Sequence, residues 1–478
     1  MLIKAIIPCN PKKDNFFSHF ERGDALPYRA NASLLVEFLS SNCKRLQKGD
    51  LKMSRQVKKV LFASLALFMM IALTACGGSN SSSSSSDGKV ELTMWIWPGM
   101  GLEELIAQYE EENENIKVNI QTAEFNDVHT NLTTALAAGS GAPDISAIEV
   151  KGIDRMKGTP QHFNNLYDLG AEELKGDYLD WKWQQGETMD GETLLGIPTD
   201  IGPQAMVYNL EIFEAAGLPT DREEVEALIQ TWDDYVRVAE QVKETTGKYM
   251  LDAATGMFAV MKGQGKEKYF NADGELIIDS NPQIEKAWNY TLQMIEKDLV
   301  TPFDQWSTEW STGIANGDFA TILAPAWMMN TIQDNAPDGA GKWDIAALPE
   351  GSGNWGGSFL TIPKESKHPE EAYALIKWLL SPEQQLKTFE IYGNFPSTPS
   401  VFDSEAMVNY TNDYFNGAPV GQIYAKAAEQ VQHVIEGPES IQVESILNDA
   451  VNRVRDGQQD PTTSWQTALD QLEREIGR

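Results

Sequence analysis

The sequence predicts an α/β protein built on a mainly parallel sheet, and three observations predict it. Val90 to Trp97 (VELTMWIW) reads as a strand, Leu102, Leu105, Ile106 and Tyr109 follow at helical spacing, and Ile116 to Thr122 (IKVNIQT) alternates as a second strand. Strand, helix, strand sets two strands side by side and parallel, because the helix carries the chain back to its starting edge. Apolar stripes at helical spacing then recur along the chain. The third observation is length: about 400 residues lie beyond Cys76, enough for two domains.

Taken in order, residues 1–52 show no sustained helical or strand period and are set aside as an over-long gene start, with a cytoplasmic extension as the alternative. A short basic segment from Met53 to Lys59 leads into Val60 to Ala72 (VLFASLALFMMIA), nearly all apolar. A spanning helix needs roughly 20 such residues. A basic start, a short apolar core and small residues at its end read instead as a secretory signal over 53–75. Leu73-Thr74-Ala75-Cys76 resembles the lipobox of bacterial lipoproteins. That likeness implies cleavage before Cys76 and attachment of lipid (palmitate) to its sulfur. Residues 76–89, with their serine run, make a flexible tether, since they have no apolar surface to offset the entropy of ordering.

In the body, helical stripes are formed by Trp232, Val236 and Ala239; Ile284, Trp288 and Ile295; Ala372, Leu375, Ile376 and Leu379; Ile446, Ala450 and Val454; and Trp465, Leu469, Leu472 and Ile476. Each reads as a helix face covering a sheet. Thr231 three residues before Asp234, and Ser381-Pro382-Glu383-Gln384, are helix-start signals. No internal repeat is visible, and no low-complexity linker follows the tether.

Composition excludes several functions. Of three cysteines, Cys9 and Cys43 lie in the leader and Cys76 is the lipid site, so the body has none for a disulfide, a thiolate nucleophile or a metal cluster. Twelve of the 38 Lys+Arg and 5 of the 70 Asp+Glu precede Cys76, so from there on the formal charge is −39, against −32 for the whole chain. Such a field repels nucleic acid and anionic lipid, which excludes a nucleic-acid partner.

Several chemical motifs fail on context. Gly351-Ser352-Gly353-Asn354-Trp355-Gly356 matches the dinucleotide glycine pattern, but a strand-like run, Ser358 to Ile362, follows where a helix must hold the pyrophosphate. Asn271-Ala272-Asp273-Gly274 hints at a calcium loop, yet Tyr269 and Ser280 stand where carboxylates belong, and a hairpin turn explains it better. His129, His162, His368 and His433 have no metal-ligand spacing. There is no serine elbow and no phosphate loop. Carboxylates are too plentiful for any glycosidase pair to be picked out. The expectation is therefore a protein that is not an enzyme and holds no metal or cofactor.

Six segments, in this order, carry a likeness: Leu92-Thr93-Met94-Trp95-Ile96-Trp97; Leu132 to Asp144 (LTTALAAGSGAPD); Ile197 to Pro203 (IPTDIGP) with Tyr208-Asn209; Trp355-Gly356-Gly357-Ser358 with Ile362-Pro363; Ser381 to Gln385 (SPEQQ); and Tyr392 to Pro396 (YGNFP). Together they resemble the extracellular solute-binding proteins of sugar ABC importers, the family of maltose-binding protein, over nearly the whole body. The resemblance implies a two-lobe fold, each lobe a mainly parallel sheet flanked by helices, with a ligand held in the cleft between them. It places the first lobe at 90–200 plus about 358–410 and the second at 201–357 plus about 411–478.

Ligands in open α/β sheets sit outside the carboxyl ends of strands. On that rule Trp97, Glu149 with Val150 and Lys151, and Asp200 at the first crossing face the cleft. Trp95 and Trp97 point to one side of their strand, which leaves open which of them does so. The resemblance adds Trp327 in Ala324-Pro325-Ala326-Trp327, one position off the family's Gly-Pro-Trp, so that Trp327 or its neighbour does the stacking. It also adds Trp355 and Ser358 at the return crossing, and Tyr392 and Asn394 in the loop after the closing helix. These residue types suit sugars, whose rings stack on aromatic planes and whose hydroxyls bond to carboxylates. Asp200 has a second reading as a helix cap or hinge residue.

The expected function is a monomeric, lipid-anchored receptor on the outer side of a Gram-positive cell membrane. It would capture a carbohydrate, an oligosaccharide, by closure of the lobes and deliver it to the permease subunits of an ABC importer. The alternatives are a surface glycoside hydrolase or lyase, and the same fold carrying a polyamine, peptide or metal complex.

Overall fold

The structure, a computed structural model, describes residues 89–271, 274–432, 434 and 436–477. Cys76, the signal and tether around it, and segment 1–52 lie outside the described residues, as do Ala272 and Asp273 of the candidate calcium loop and His433.

Strand β1 (Val90–Ile96) buries Leu92, Met94 and Ile96 on one side. It pairs in parallel with β2 (Ile116–Thr122) and with β3 (Ile145–Glu149). The helix Glu103–Glu112 and the helix Pro369–Leu379 pack their apolar stripes, Leu105, Ile106 and Tyr109 with Ala372, Leu375, Ile376 and Leu379, into the same core. Strands β4 (Gly196–Pro198) and β9 (Ser358–Thr361) complete a first sheet of order β2-β1-β3-β9-β4.

The second sheet has the order β6-β7-β5-β8, from β5 (Gln204–Asn209), β6 (Tyr249–Leu251), β7 (Phe319–Pro325) and β8 (Trp343–Ala346). One face, with Met206, Tyr208 and Leu323, carries the predicted stripes of Trp232, Ile284, Trp288, Ile446 and Leu472. The other, with Ala205, Val207, Ile322 and Ala324, carries Trp310, Met328 and Tyr424. Every residue of β5 and β7 is buried, so neither strand shows a period of two.

The expectation that both sheets are mainly parallel is corrected: they are mixed. Strand β9 runs against both β3 and β4, and β5 runs against both β7 and β8; only β6 and β7 are parallel in the second sheet. The reason lies in the crossings. Strands β3 and β7 end at the cleft, whereas β9 and β5 begin there as the chain enters the lobe. A strand that starts where its neighbour stops must run antiparallel to it.

Two helix starts differ in kind. Thr231 and Asp234 form the reciprocal capping box that their spacing predicts. Ser381 caps nothing with its side chain, and its hydroxyl donates instead to the Trp378 carbonyl at 3.0 Å. Phe389, Phe395, Val401, Phe402 and Met407 pack with Ala324 and Tyr424 in the second core.

Candidate functional site

The two crossings lie side by side. The Trp355 amide donates to the Gly202 carbonyl at 2.8 Å, the Gly202 amide donates to Asn354 Oδ1 at 2.8 Å, and the Thr199 amide donates to the Ser358 carbonyl at 2.9 Å. Gly202 is obligatory, since a Cβ there would fall 1.9 Å from the Trp355 carbonyl oxygen. Beside these crossings lies a cavity of about 420 Å³. Val150 and Lys151, just after β3, and Trp181 and Gln185 on the helix Asp180–Gly186 line it from the first lobe. From the second come Lys262, Trp306, and Glu444, Asn448 and Asn452 on one face of the helix Ser440–Arg455.

One wall is aromatic. Trp306 stacks on Trp327 with centroids 6.0 Å apart and planes 18° apart, and Trp355 meets Trp327 edge-on at 5.7 Å. The Trp327 indole N–H donates to the Trp355 carbonyl at 3.0 Å, so Trp327 backs the platform while Trp306 and Trp355 front the cavity. Trp306 is 52% exposed. Around the cavity four buried side-chain atoms have no hydrogen-bond partner among the described residues: Trp181 Nε1 and Gln204 Nε2, both donors, and Asn448 Oδ1 and Asn452 Oδ1, both acceptors. Buried polar atoms are rarely left so, and a group able both to donate and to accept satisfies the set.

Charge is dense but paired. Lys151 reaches across from the first lobe to Glu444 at 2.8 Å, and Lys268 binds Glu436 at 2.7 Å with Glu444 at 3.9 Å. Lys262 is fully buried and donates to the Tyr269 hydroxyl at 3.0 Å. Burial pulls the Lys262 ammonium down to about 7. Burial pushes the Glu444 carboxyl up, but the charges of Lys151, Lys268 and Lys262 outweigh it and hold the group far below the usual carboxylate range. Lys182, also fully buried, lies 4.1 Å over the Phe359 ring. Burial draws it down to about 8 against the charges of Asp200 and Glu149. Among the described residues no group of three His, Cys, Asp or Glu could hold a metal ion.

Of the eight predicted ligand residues, Trp355 lines the cavity, and so do Val150 and Lys151 beside Glu149. Glu149 itself caps the helix Val150–Met156, its carboxylate accepting from the Lys151 amide at 2.9 Å, and its own amide donates to His129 Nε2 at 3.0 Å. Trp97 stacks on His129 at 5.3 Å and meets Phe125 edge-on at 5.0 Å, away from the residues that line the cavity. Trp95 packs against the cluster of Leu132 and Ile148, Trp97 against that of Leu92 and Met94.

The remaining predicted residues hold the frame. One oxygen of the Asp200 carboxylate accepts from the Thr199 hydroxyl and, at 2.9 Å, from the Ser358 amide, and so joins the two crossings. Ser358 is buried in β9 opposite Glu149. Tyr392 lies against Gly101, and the Asn394 side-chain amide donates to the Gly99 and Met100 carbonyls at 2.9 and 3.2 Å, tying down the loop after β1.

Sequence reasoning missed Trp306, Trp181, Lys262 and the stripe of Glu444, Asn448 and Asn452. The stripe was visible as a polar helix face, but its spacing is that of any solvated face. Nothing in the residues around Trp306 marks it.

Residues 104–415 match a family described as bacterial extracellular solute-binding protein. An arabinooligosaccharide-binding protein of Bacillus subtilis (strain 168) is 27% identical over 87% of this chain and all of that protein. Another, of Halalkalibacterium halodurans, is 31% identical over 73% of this chain and 80% of that one. A solved structure described as an extracellular solute-binding protein family 1 is 36% identical, with a TM-score of 0.76 over 80% of this chain and 99% of that one.

Proposed function

The chain belongs to the bacterial extracellular solute-binding proteins, and we propose that its cargo is an uncharged oligosaccharide, handed to an ABC importer. The observation that carries this is the cavity itself: an aromatic wall of Trp306 and Trp355 together with Trp181, Gln204, Asn448 and Asn452, whose buried donors and acceptors lack partners among the described residues. A ligand with an apolar ring face and hydroxyls satisfies both walls. Its volume, about 420 Å³, lies in the range of small-molecule sites, ~300–1,000 Å³. Among the lining residues Lys151 and Lys268 pair with Glu444 and Glu436, so these two carboxylates are already engaged and poorly placed to attract a polyamine. The names of the two relatives favour arabino-oligosaccharides within this class.

A thermal-shift panel of arabino- and galacto-oligosaccharides, with spermidine and a short peptide as controls, tests the reading. A sugar at 100 times its dissociation constant should stabilise by ~2.7 kcal/mol. A shift with spermidine or the peptide and none with any sugar would overturn it. The lipid anchor rests on the residues around Cys76. Cys76→Ser should abolish incorporation of labelled palmitate by the expressing cell, and undiminished label would exclude that anchor.

A further inference from the structure

We infer that Asp252 is a positioning residue for ligand binding, which holds the Trp306 ring at the cavity by tying down both sides of the turn that carries it. The inference rests on the sugar-binding reading above. Trp306 has a φ of 71°, in the left-handed region that bulky side chains avoid. Such a conformation persists only where the surroundings impose it. The residues on either side supply the constraint. One Asp252 oxygen accepts from the Gln305 side-chain amide at 2.9 Å and from the Trp310 indole N–H at 2.8 Å. The Thr301 hydroxyl donates to the Asp252 carbonyl.

Asp252 is anchored in turn. It follows β6 directly, is 1% exposed, and among the described residues takes part in no ion pair. A buried carboxylate without a cation is costly, and burial pushes this one up to about 6. Among the described residues the only side chains that donate to it are Gln305 and Trp310, one before and one after Trp306. Ser307 closes the turn by capping the helix Thr308–Asn316, its hydroxyl accepting from the Trp310 amide at 3.1 Å. The sheet thus reaches through Asp252 to set a half-exposed ring parallel to Trp327.

The test uses the full chain, first without ligand. The stacked Trp306–Trp327 pair gives a near-ultraviolet circular-dichroism contribution that Trp306→Ala removes. Asp252→Ala should lose the same contribution, whereas Asp252→Asn should keep it, since one amide oxygen still accepts both N–H groups. With the sugar that gives the largest shift in the panel, Asp252→Ala should weaken binding about tenfold, as Trp306→Ala does. The double variant should bind no worse than Trp306→Ala alone. Additive losses, or an unchanged spectrum in folded Asp252→Ala, would overturn the inference. Should Asp252→Ala not fold, Gln305→Ala removes one tie from a less buried position, and an unaltered spectrum there also overturns it. If the spectra change as expected but no sugar binds, the sugar reading fails and the positioning role stands.

Discussion

The Asp200 carboxylate sits between the two crossings, one oxygen taking the Thr199 hydroxyl and the Ser358 amide, with the Lys182 ammonium as its opposing charge. Burial pushes it above the usual carboxylate range, and the Thr199 bond, Lys182 and the Ser358 amide pull it partly back. Removing the side chain leaves the Ser358 N–H without that acceptor, at ~1–3 kcal/mol for a buried donor. Asp200→Ala should therefore lower the melting temperature of the ligand-free protein. A direct ligand contact makes the opposite forecast: an unchanged apo melting temperature and a weaker calorimetric affinity. Scanning calorimetry of the apo variant beside a sugar titration separates the two roles. At this scale the sequence named the region, the crossing between the lobes. Proximity to a crossing was legible, but whether a carboxylate's lone pairs point to a ligand or to a backbone amide depends on a partner 158 residues away.

At the scale of elements the sequence reads well wherever the signal is local. Strand β2 has its predicted bounds, the first helix buries Leu105, Ile106 and Tyr109, and the Thr231 capping box forms as its spacing requires. Each depends on neighbours within one or two turns. The helix Pro382–Tyr392 starts where Ser381 and Pro382 predict, but the Ser381 hydroxyl donates backward to the Trp378 carbonyl instead of accepting from its own helix. Strand direction fails for a different reason. A strand's residues record burial, not orientation, so β5 and β9 look the same whichever way they run. Their antiparallel pairing follows from where the chain enters each lobe. The site's helix face of Glu444, Asn448 and Asn452 was likewise legible as polar but not as lining a cavity.

At the scale of the molecule, Lys151 on the first lobe and Glu444 on the second join the two walls of the cavity. Burial lowers the Lys151 ammonium, but the Glu444 and Glu149 carboxylates outweigh it and raise it above its ordinary value, while Glu444 is held well down. The pair thus stays charged from about pH 5 to 9. A depressed carboxylate contributes stability above its ordinary range and loses it as pH falls through the folded value, while the raised ammonium loses its share as pH rises above its ordinary value, so this link weakens in acid and in strong alkali. Lys151→Met keeps the apolar stem and removes the charge. It should enlarge the ligand-free radius of gyration measured by solution scattering and weaken sugar binding several-fold, with less effect on the liganded radius. An apo radius equal to that of the parent protein would show that the pair does not hold the lobes together. By itself the sequence determined the local elements and their order, and through its resemblance the two-lobe frame, because periodicity and caps act over a few residues. Only the tertiary structure decided which side chains meet in the cavity. Lys151 and Glu444 are 293 positions apart, and no local pattern records a contact that the closing of two lobes creates.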